Sequence, residues 1–525
     1  MLFSSWGFAL LIAVLVPVYY LVPKKLQRFV LLLANLVFYA FAGLKAMLLL
    51  LLTALSAYLF ARGIGKNWDA QRETLVLRKT EWDKAQKKTF RERMEGKRRT
   101  LLILCLVLHF GILFAMKYGA GAIGLWNGLF GTSLDGTGIV LTMGASFYTF
   151  STMGYVIDVQ RGKYPAEKDP LKVLLFTSFF PILVQGPISR FDTLGETLFA
   201  PHSFDPDNLR AGLLRVLWGY AKKLIVADRL LVAVKQLVKV PETYNGAFVL
   251  LGMLLYAATL YADFTGGIDI TIGIGRMLGV SIDENFIRPY FSKSIGEYWR
   301  RWHITLGAWF KEYLYYPVSV SKPLRRLTKA ARKLNSGFAR RLPVYLATFA
   351  VWAVTGMWHG NSWNFLVWGL LNGVILLISE ELSPLYARFH ARFGRLGRTW
   401  GYRAFAVIRT VLLLSSLRMF DCYATVPETF RAFGSMFTVW NLPMLWNGGI
   451  ASLGLAWADW LAAAVGVLAM FFVSLRQRGG ALIPRFLRRP LWQRLAVYGA
   501  LLTVILVFGY YGFGYDAGQF IYNRF

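Results

Sequence analysis

The chain has 525 residues and a formal net charge of +31, with 59 Lys and Arg against 28 Asp and Glu. It is 56% hydrophobic and carries 40 Phe and 18 Trp, largely in uninterrupted apolar runs, which excludes a soluble domain. The positive charge gathers between those runs, as in the inner loops of membrane proteins. It is therefore assigned to topology and anionic lipid, and nucleic acid is excluded as a partner.

In chain order, the expected spans are Phe8–Val22, Phe29–Gly43, Ala46–Ala61, Leu101–Met116, Gly246–Ala262, Val344–Trp358, Phe365–Ile378, Ala404–Phe420, Trp457–Leu475 and Leu495–Phe513. With flanking aromatics and re-entrant pieces this predicts an all-α polytopic protein of about eleven spans, several shorter than the ~20 residues a crossing needs. Residues 1–64 read as N-terminal membrane helices. Residues 65–100 read as a charged cytoplasmic insertion, a solvated helix or hairpin. Residues 101–380 read as the core and 381–525 as C-terminal membrane helices. Arg62–Arg99 holds thirteen basic residues against six acids, and Lys322–Arg341 holds eight and no acid. These loops, with Arg388–Arg403 and Arg476–Arg494, are expected inside. The N-terminus and the tail Gly514–Phe525 are expected outside, with the first span a retained signal anchor. Gln185-Gly186-Pro187 and Gly266-Gly267 punctuate the middle of the chain. Broken helices at membrane depth are tolerated where they line a cavity, so a central funnel is expected there.

Chemistry concentrates on two of the five histidines. His359 lies in VWAVTGMWHGNSWNFLVWG, with Gly356 and Gly360 leaving room for a substrate or a close helix. An ionisable group at membrane depth is costly and points to function, and imidazole suits general-base work. A buried histidine bonded to a backbone carbonyl is the alternative. His303 lies in EYWRRWHITLGAWFKEYLYY, where helical spacing would put Trp299, Trp302, His303 and Leu306 on one face. An interfacial helix with tryptophan anchors and a structural histidine fits that stretch equally. His109, without polar company, reads as structural. Asp263, Asp269 and Arg276, in YADFTGGIDITIGIGRMLG, read as a structural polar group pairing within itself. The glycines that follow do not fit G-x-G-x-x-G. No G-x-S-x-G, P-loop or H-E-x-x-H occurs, and the lone Cys105 and Cys422 support neither zinc nor redox motifs, so no metal is assigned.

Four stretches together resemble the membrane-bound O-acyltransferase family, and within it the alginate O-acetyltransferases and teichoic-acid D-alanyl transferases. They are SFYTFSTMGYVIDVQRGKYP from Ser146, SFFPILVQGPISRF from Ser178, the long segment from Tyr261 through His303 to Val318, and GMWHGNSWNFLVWG from Gly356. The resemblance implies a ring of membrane helices around a tunnel, and acyl transfer from a cytoplasmic thioester to a hydroxyl. It places His359 on the catalytic histidine and His303 on the second functional position, there to position or polarise the thioester. Trp299, Trp302, Trp358, Asn361 and Lys311 become the expected substrate contacts. The ending FIYNRF resembles the alginate type, while Ser416–Phe437 departs from that type's W-x-x-F-R-A pattern. The expectation is therefore O-acetylation of an exported cell-surface polysaccharide, in a bacterial inner membrane. Acetyl-CoA is the expected co-substrate with no bound cofactor, and the expected partner is an extracytoplasmic protein of the SGNH-hydrolase kind. A D-alanyl transferase fed by an acyl carrier protein is one competing reading. Transport without chemistry is another.

Overall fold

The computed structural model describes residues 3–136, 142–333 and 336–511. The ending FIYNRF and the tail from Gly514 lie outside them. Among the described residues the secondary structure is helical, broken by one isolated antiparallel bridge, Phe286 with Trp302. Six helices are long and apolar enough to cross a membrane: Leu44–Leu77, Lys84–Phe130, Ala247–Met277, Trp363–Glu381, Trp457–Gly479 and Leu491–Phe508. The other expected spans fall on helices that are shorter or carry more charge. These are α1 (Trp6–Leu21), α2 (Gln27–Ala40), Ser336–His359 and Trp400–Leu417.

The chain forms two compact units. One comprises residues 1–209 with 274–283, the other 210–273 with 284–525. In the first, α3 (Leu44–Leu77) and α4 (Lys84–Phe130) pack with α5 (Ala145–Arg161) and α6 (Pro170–Ser178). The charged stretch 65–100 is the continuation of α3 and α4 around a short turn, closed by an Asp83–Gln86 capping box. Arg98 clamps this hairpin. Its guanidinium lies 3.6 Å from the Trp68 ring and donates to Asn67 and Gln71. Further along, Asn35 is fully buried and bonds through both ends of its amide. It donates to Ser178 Oγ at 3.1 Å and accepts from the Phe180 amide at 3.0 Å. Phe3, Phe8, Phe38 and Phe180 pack beside it.

The second unit holds both histidines of interest. Its first long helix, α7 (Pro206–Ala221), passes through a π-turn, Lys222–Ala227, into α8 (Asp228–Lys239). Helix α9 (Ala247–Met277) touches α7 backbone to backbone. A Cβ on Gly219 would stand 2.6 Å from Gly266 O, and one on Gly266 2.9 Å from Gly219 O. Glycine is required there for the close approach. Val226, Leu230, Ala262 and Met470 form one of the unit's apolar cores.

Candidate active site

The His303 segment is not one helix. Helix α10 (Ile295–Trp299) ends, and α11 (Ile304–Phe310) starts only after His303, which caps it at φ +49°. The face shared by Trp299, Trp302, His303 and Leu306 is therefore replaced by a turn. The cause is a short antiparallel pairing. Ile287 N donates to Arg301 O at 3.0 Å, and Ile304 N donates to Asn285 O at 3.1 Å. A left-handed non-glycine residue costs about 1–3 kcal/mol and persists where surrounding contacts hold it. Asn285 supplies them. Its Oδ1 accepts from Thr305 N at 3.1 Å and Thr305 Oγ1 at 3.0 Å, and lies 3.3 Å from His303 Nδ1.

His359 is the last residue of α12 (Ser336–His359), and three residues separate it from α13 (Trp363–Glu381). The glycines around it are filled by the neighbouring helix. A Cβ on Gly369 would stand 2.3 Å from Trp352 O, one on Gly356 2.4 Å from Phe365 O, and one on Gly360 1.9 Å from the Phe365 ring. Of the two uses read for that space, a close helix is the one found.

Both histidines are 3% exposed. Both neighbour Trp358, whose ring centroid is 4.8 Å from that of His359 and 5.8 Å from that of His303. Trp368 closes on His359 at 4.8 Å, and Phe264 on His303 at 5.0 Å, both edge to face. His303 belongs to none of the long helices. Burial, and secondarily the Arg418 charge, hold its pKa below the ordinary imidazole value, so it is neutral at physiological pH.

Arg418 had no place in the sequence reading. It follows α14 (Trp400–Leu417), is 5% exposed, and sits 4.5 Å from the Trp368 ring, 5.7 Å from Trp302 and 5.9 Å from Trp299. Its Nη1 lies 3.2 Å from Asp421, which also accepts from the Tyr256 hydroxyl at 3.3 Å. The expected contacts divide accordingly. Trp302 and Trp358 are buried beside the histidines, and Trp299 packs on Trp352 at 4.7 Å. Asn361, in the turn between α12 and α13, is exposed, as is Lys311 at the start of the π-turn Lys311–Tyr315 that follows α11. Trp299 Nε1, Trp302 Nε1 and Asn285 Nδ2 are buried donors without an acceptor among the described residues.

Asp263, Asp269 and Arg276 do not pair with one another. Asp263 and Asp269 are six residues apart on α9, about 9 Å along the axis and on different faces. Their cations come from the π-turn and α7. Lys223 bridges Asp263 and Asp228 at 2.6 and 2.7 Å. Lys222 and Arg215 reach Asp269 at 2.6 and 2.8 Å, and Arg276 bonds Asn208. The widened turn sets two adjacent lysines against α9. The signal in the sequence was AKKLIVADR, two lysines inside an apolar run.

The sequence profile of the membrane-bound O-acyltransferase family matches residues 166–420, a range that contains both histidines, Asn285 and Arg418. A probable alginate O-acetylase of Azotobacter vinelandii is 31% identical over 392 residues, 73% of this chain and 69% of that protein. The chain belongs to the membrane-bound O-acyltransferase family. It is thus a multi-pass membrane O-acyltransferase, and transport without chemistry drops out. Peptidoglycan O-acetyltransferase of Helicobacter pylori is 28% identical, covering 56% of the chain and 58% of that protein. Teichoic acid D-alanyltransferase of Bacillus subtilis is 23% identical over 45% of the chain and 58% of that protein.

Proposed function

We propose that this O-acyltransferase moves an acetyl group from cytoplasmic acetyl-CoA toward O-acetylation of an exported cell-surface polysaccharide. It would act in the inner membrane and hand the group to an extracytoplasmic partner of the SGNH-hydrolase kind. The observation that carries the reading is the pair of buried histidines that share Trp358 as a neighbour. His359 takes the proton of the acceptor hydroxyl while its oxygen attacks the thioester carbonyl carbon. The C–S bond then breaks, and His359 returns the proton to the leaving thiolate. The products are an O-acetyl ester and free CoA-SH. His303 orients a reacting group. Trp302 Nε1 is a buried donor of the type that steadies a carbonyl oxygen as it gains charge. Enclosure by tryptophans keeps out the water that would hydrolyse the thioester.

Acetyl rather than D-alanyl transfer is favoured by extent. The alginate O-acetylase match covers 73% of the chain, the D-alanyltransferase match 45%. The test is turnover of radiolabelled acetyl-CoA by the purified protein in nanodiscs, alone and with its extracytoplasmic partner, for the wild type, His359→Ala and His303→Ala. Turnover lost in folded His359→Ala supports the assignment. Wild-type inactivity with acetyl-CoA, alongside activity with a carrier-protein thioester, selects the D-alanyl reading.

A further inference from the structure

The contacts of Asn285 determine which nitrogen of His303 carries its proton. The two ends of an asparagine amide have the same shape, so their assignment must come from their partners. Here one partner is decisive. The backbone amide of Thr305 can only donate, and it lies 3.1 Å from the amide atom that faces the loop. That atom is therefore the oxygen. Thr305 Oγ1, at 3.0 Å, donates to the same atom. A carbonyl oxygen only accepts, so His303 Nδ1, 3.3 Å away, must present an N–H to it. A neutral imidazole has one such proton, which leaves Nε2 with its lone pair. Arg418, a fixed cation in the same pocket, disfavours the doubly protonated ring. The backbone adds a further tie, because Asn285 O accepts from Ile304 N. One residue thus holds the turn through Ile304 and Thr305 and also fixes the tautomer of the histidine within it.

We propose that Asn285 is a positioning residue that keeps His303 in its Nδ1–H tautomer, so that Nε2 acts toward the reacting groups as a hydrogen-bond acceptor and not as a donor. The role, though not the tautomer, rests on the acyl-transfer reading above. A bare Nε2 does not donate to a thioester carbonyl, so polarising that carbonyl falls to other groups. At the reacting centre the one hydrogen of the acceptor hydroxyl goes to His359, so His303 orients a reacting group and is not the base. Asn285 acts on the reaction only through His303.

The test is nitrogen NMR of the full chain in lipid, labelled with 15N-histidine. The His303 signal is assigned as the one lost in His303→Gln. Near neutral pH the wild type is expected to show Nδ1 protonated and Nε2 bare at His303. A protonated Nε2 in the wild type overturns the proposal, whatever the activity. Two variants then probe the link. Asn285→Asp keeps an acceptor for Nδ1–H and for Thr305 N, and is expected to retain the tautomer and most of kcat. Asn285→Leu removes it, and is expected to mix the tautomers and lower kcat about a hundredfold, the scale of one acid–base contact, with KM little changed. A folded Asn285→Leu protein with the wild-type tautomer and kcat also overturns the proposal. If the tautomer is as stated and no donor is turned over, the functional reading fails while the tautomer assignment stands.

Discussion

Arg418→Met tests the idea that a buried cation is the keystone of the tryptophan cluster. The guanidinium sits 3.2 Å from Asp421, and the two side chains are 6% and 1% exposed. At that distance the Coulomb attraction is about 5 kcal/mol at an effective dielectric of 20, before desolvation is counted. The Trp368 face, 4.5 Å away, adds about 1 kcal/mol of cation–π attraction. Trp302 and Trp299, at 5.7 and 5.9 Å, are near the limit of the effect and add less. Methionine fills much of the volume but leaves the Asp421 carboxylate buried and without its cation. Breaking a buried pair from one side costs about 3–5 kcal/mol, whereas replacing both partners is close to neutral. Arg418→Met is therefore expected to destabilise by about 3–5 kcal/mol, and Arg418→Met/Asp421→Asn to recover more than half of that loss. The assay is unfolding in mixed detergent–SDS micelles followed by tryptophan emission, which reports on the rings around Arg418. A single-variant loss under about 1 kcal/mol, or a double variant no better than the sum of the singles, would refute the reasoning.

Three further outcomes follow from the same geometry. His359→Ala is expected to lower kcat about 10²- to 10⁴-fold with thermal stability little changed, measured by acetyl-CoA turnover beside a melting curve. An equal fall in stability would instead mark the residue as structural. Gly369→Ala places a methyl 2.3 Å from Trp352 O and is expected to cost about 1–3 kcal/mol by forcing α13 from α12. Since His359 and Trp368 belong to those two helices, kcat should fall with it, and Gly434→Ala, where the added methyl meets nothing within 4 Å, is the matched control. Lys223→Met removes the cation that Asp263 and Asp228 share and is expected to lose about 3–5 kcal/mol or to abolish folded yield, read by size-exclusion fluorescence. Asp263→Asn should be milder, because Lys223 keeps Asp228. Equal losses in the two variants would refute the shared-cation arrangement.

Composition and apolar run length made the helical, membrane-crossing character legible. Each expected span with described residues falls on a helix, because a run of Leu, Val, Phe and Ala in lipid has no other way to satisfy its backbone. The charged stretch 65–100 was read as a helix or hairpin, and helical pairing is what Arg98, Trp68 and the Asp83 cap produce. The glycines beside His359 were legible as close-packing positions. What occupies the space was not, since a gap for a helix and a gap for a ligand leave the same residues in the sequence. Helical periodicity also misled at His303. The spacing of Trp299, Trp302 and His303 fits one face, but hydrogen bonds from residues 285–287, local in space and more than a dozen positions away in sequence, override it.

The polar residues of the second unit show the same limit more sharply. Asp263 and Asp269 were visible as costly acids in an apolar run, and the rule that such groups find partners held for both. Their partners were misassigned because a helix keeps residues six or seven apart from meeting, and the cations had to come from another element. Arg418 carried a comparable signal, a lone arginine at the end of an apolar span, three residues before Asp421. Asn285 carried almost none, for an asparagine in a polar loop is ordinary until the backbone amide of Thr305 is seen to point at it. The residues that set how a buried histidine behaves are thus the ones least marked in sequence. Their effect passes through a single hydrogen bond, and hydrophobic pattern, charge and spacing do not record it.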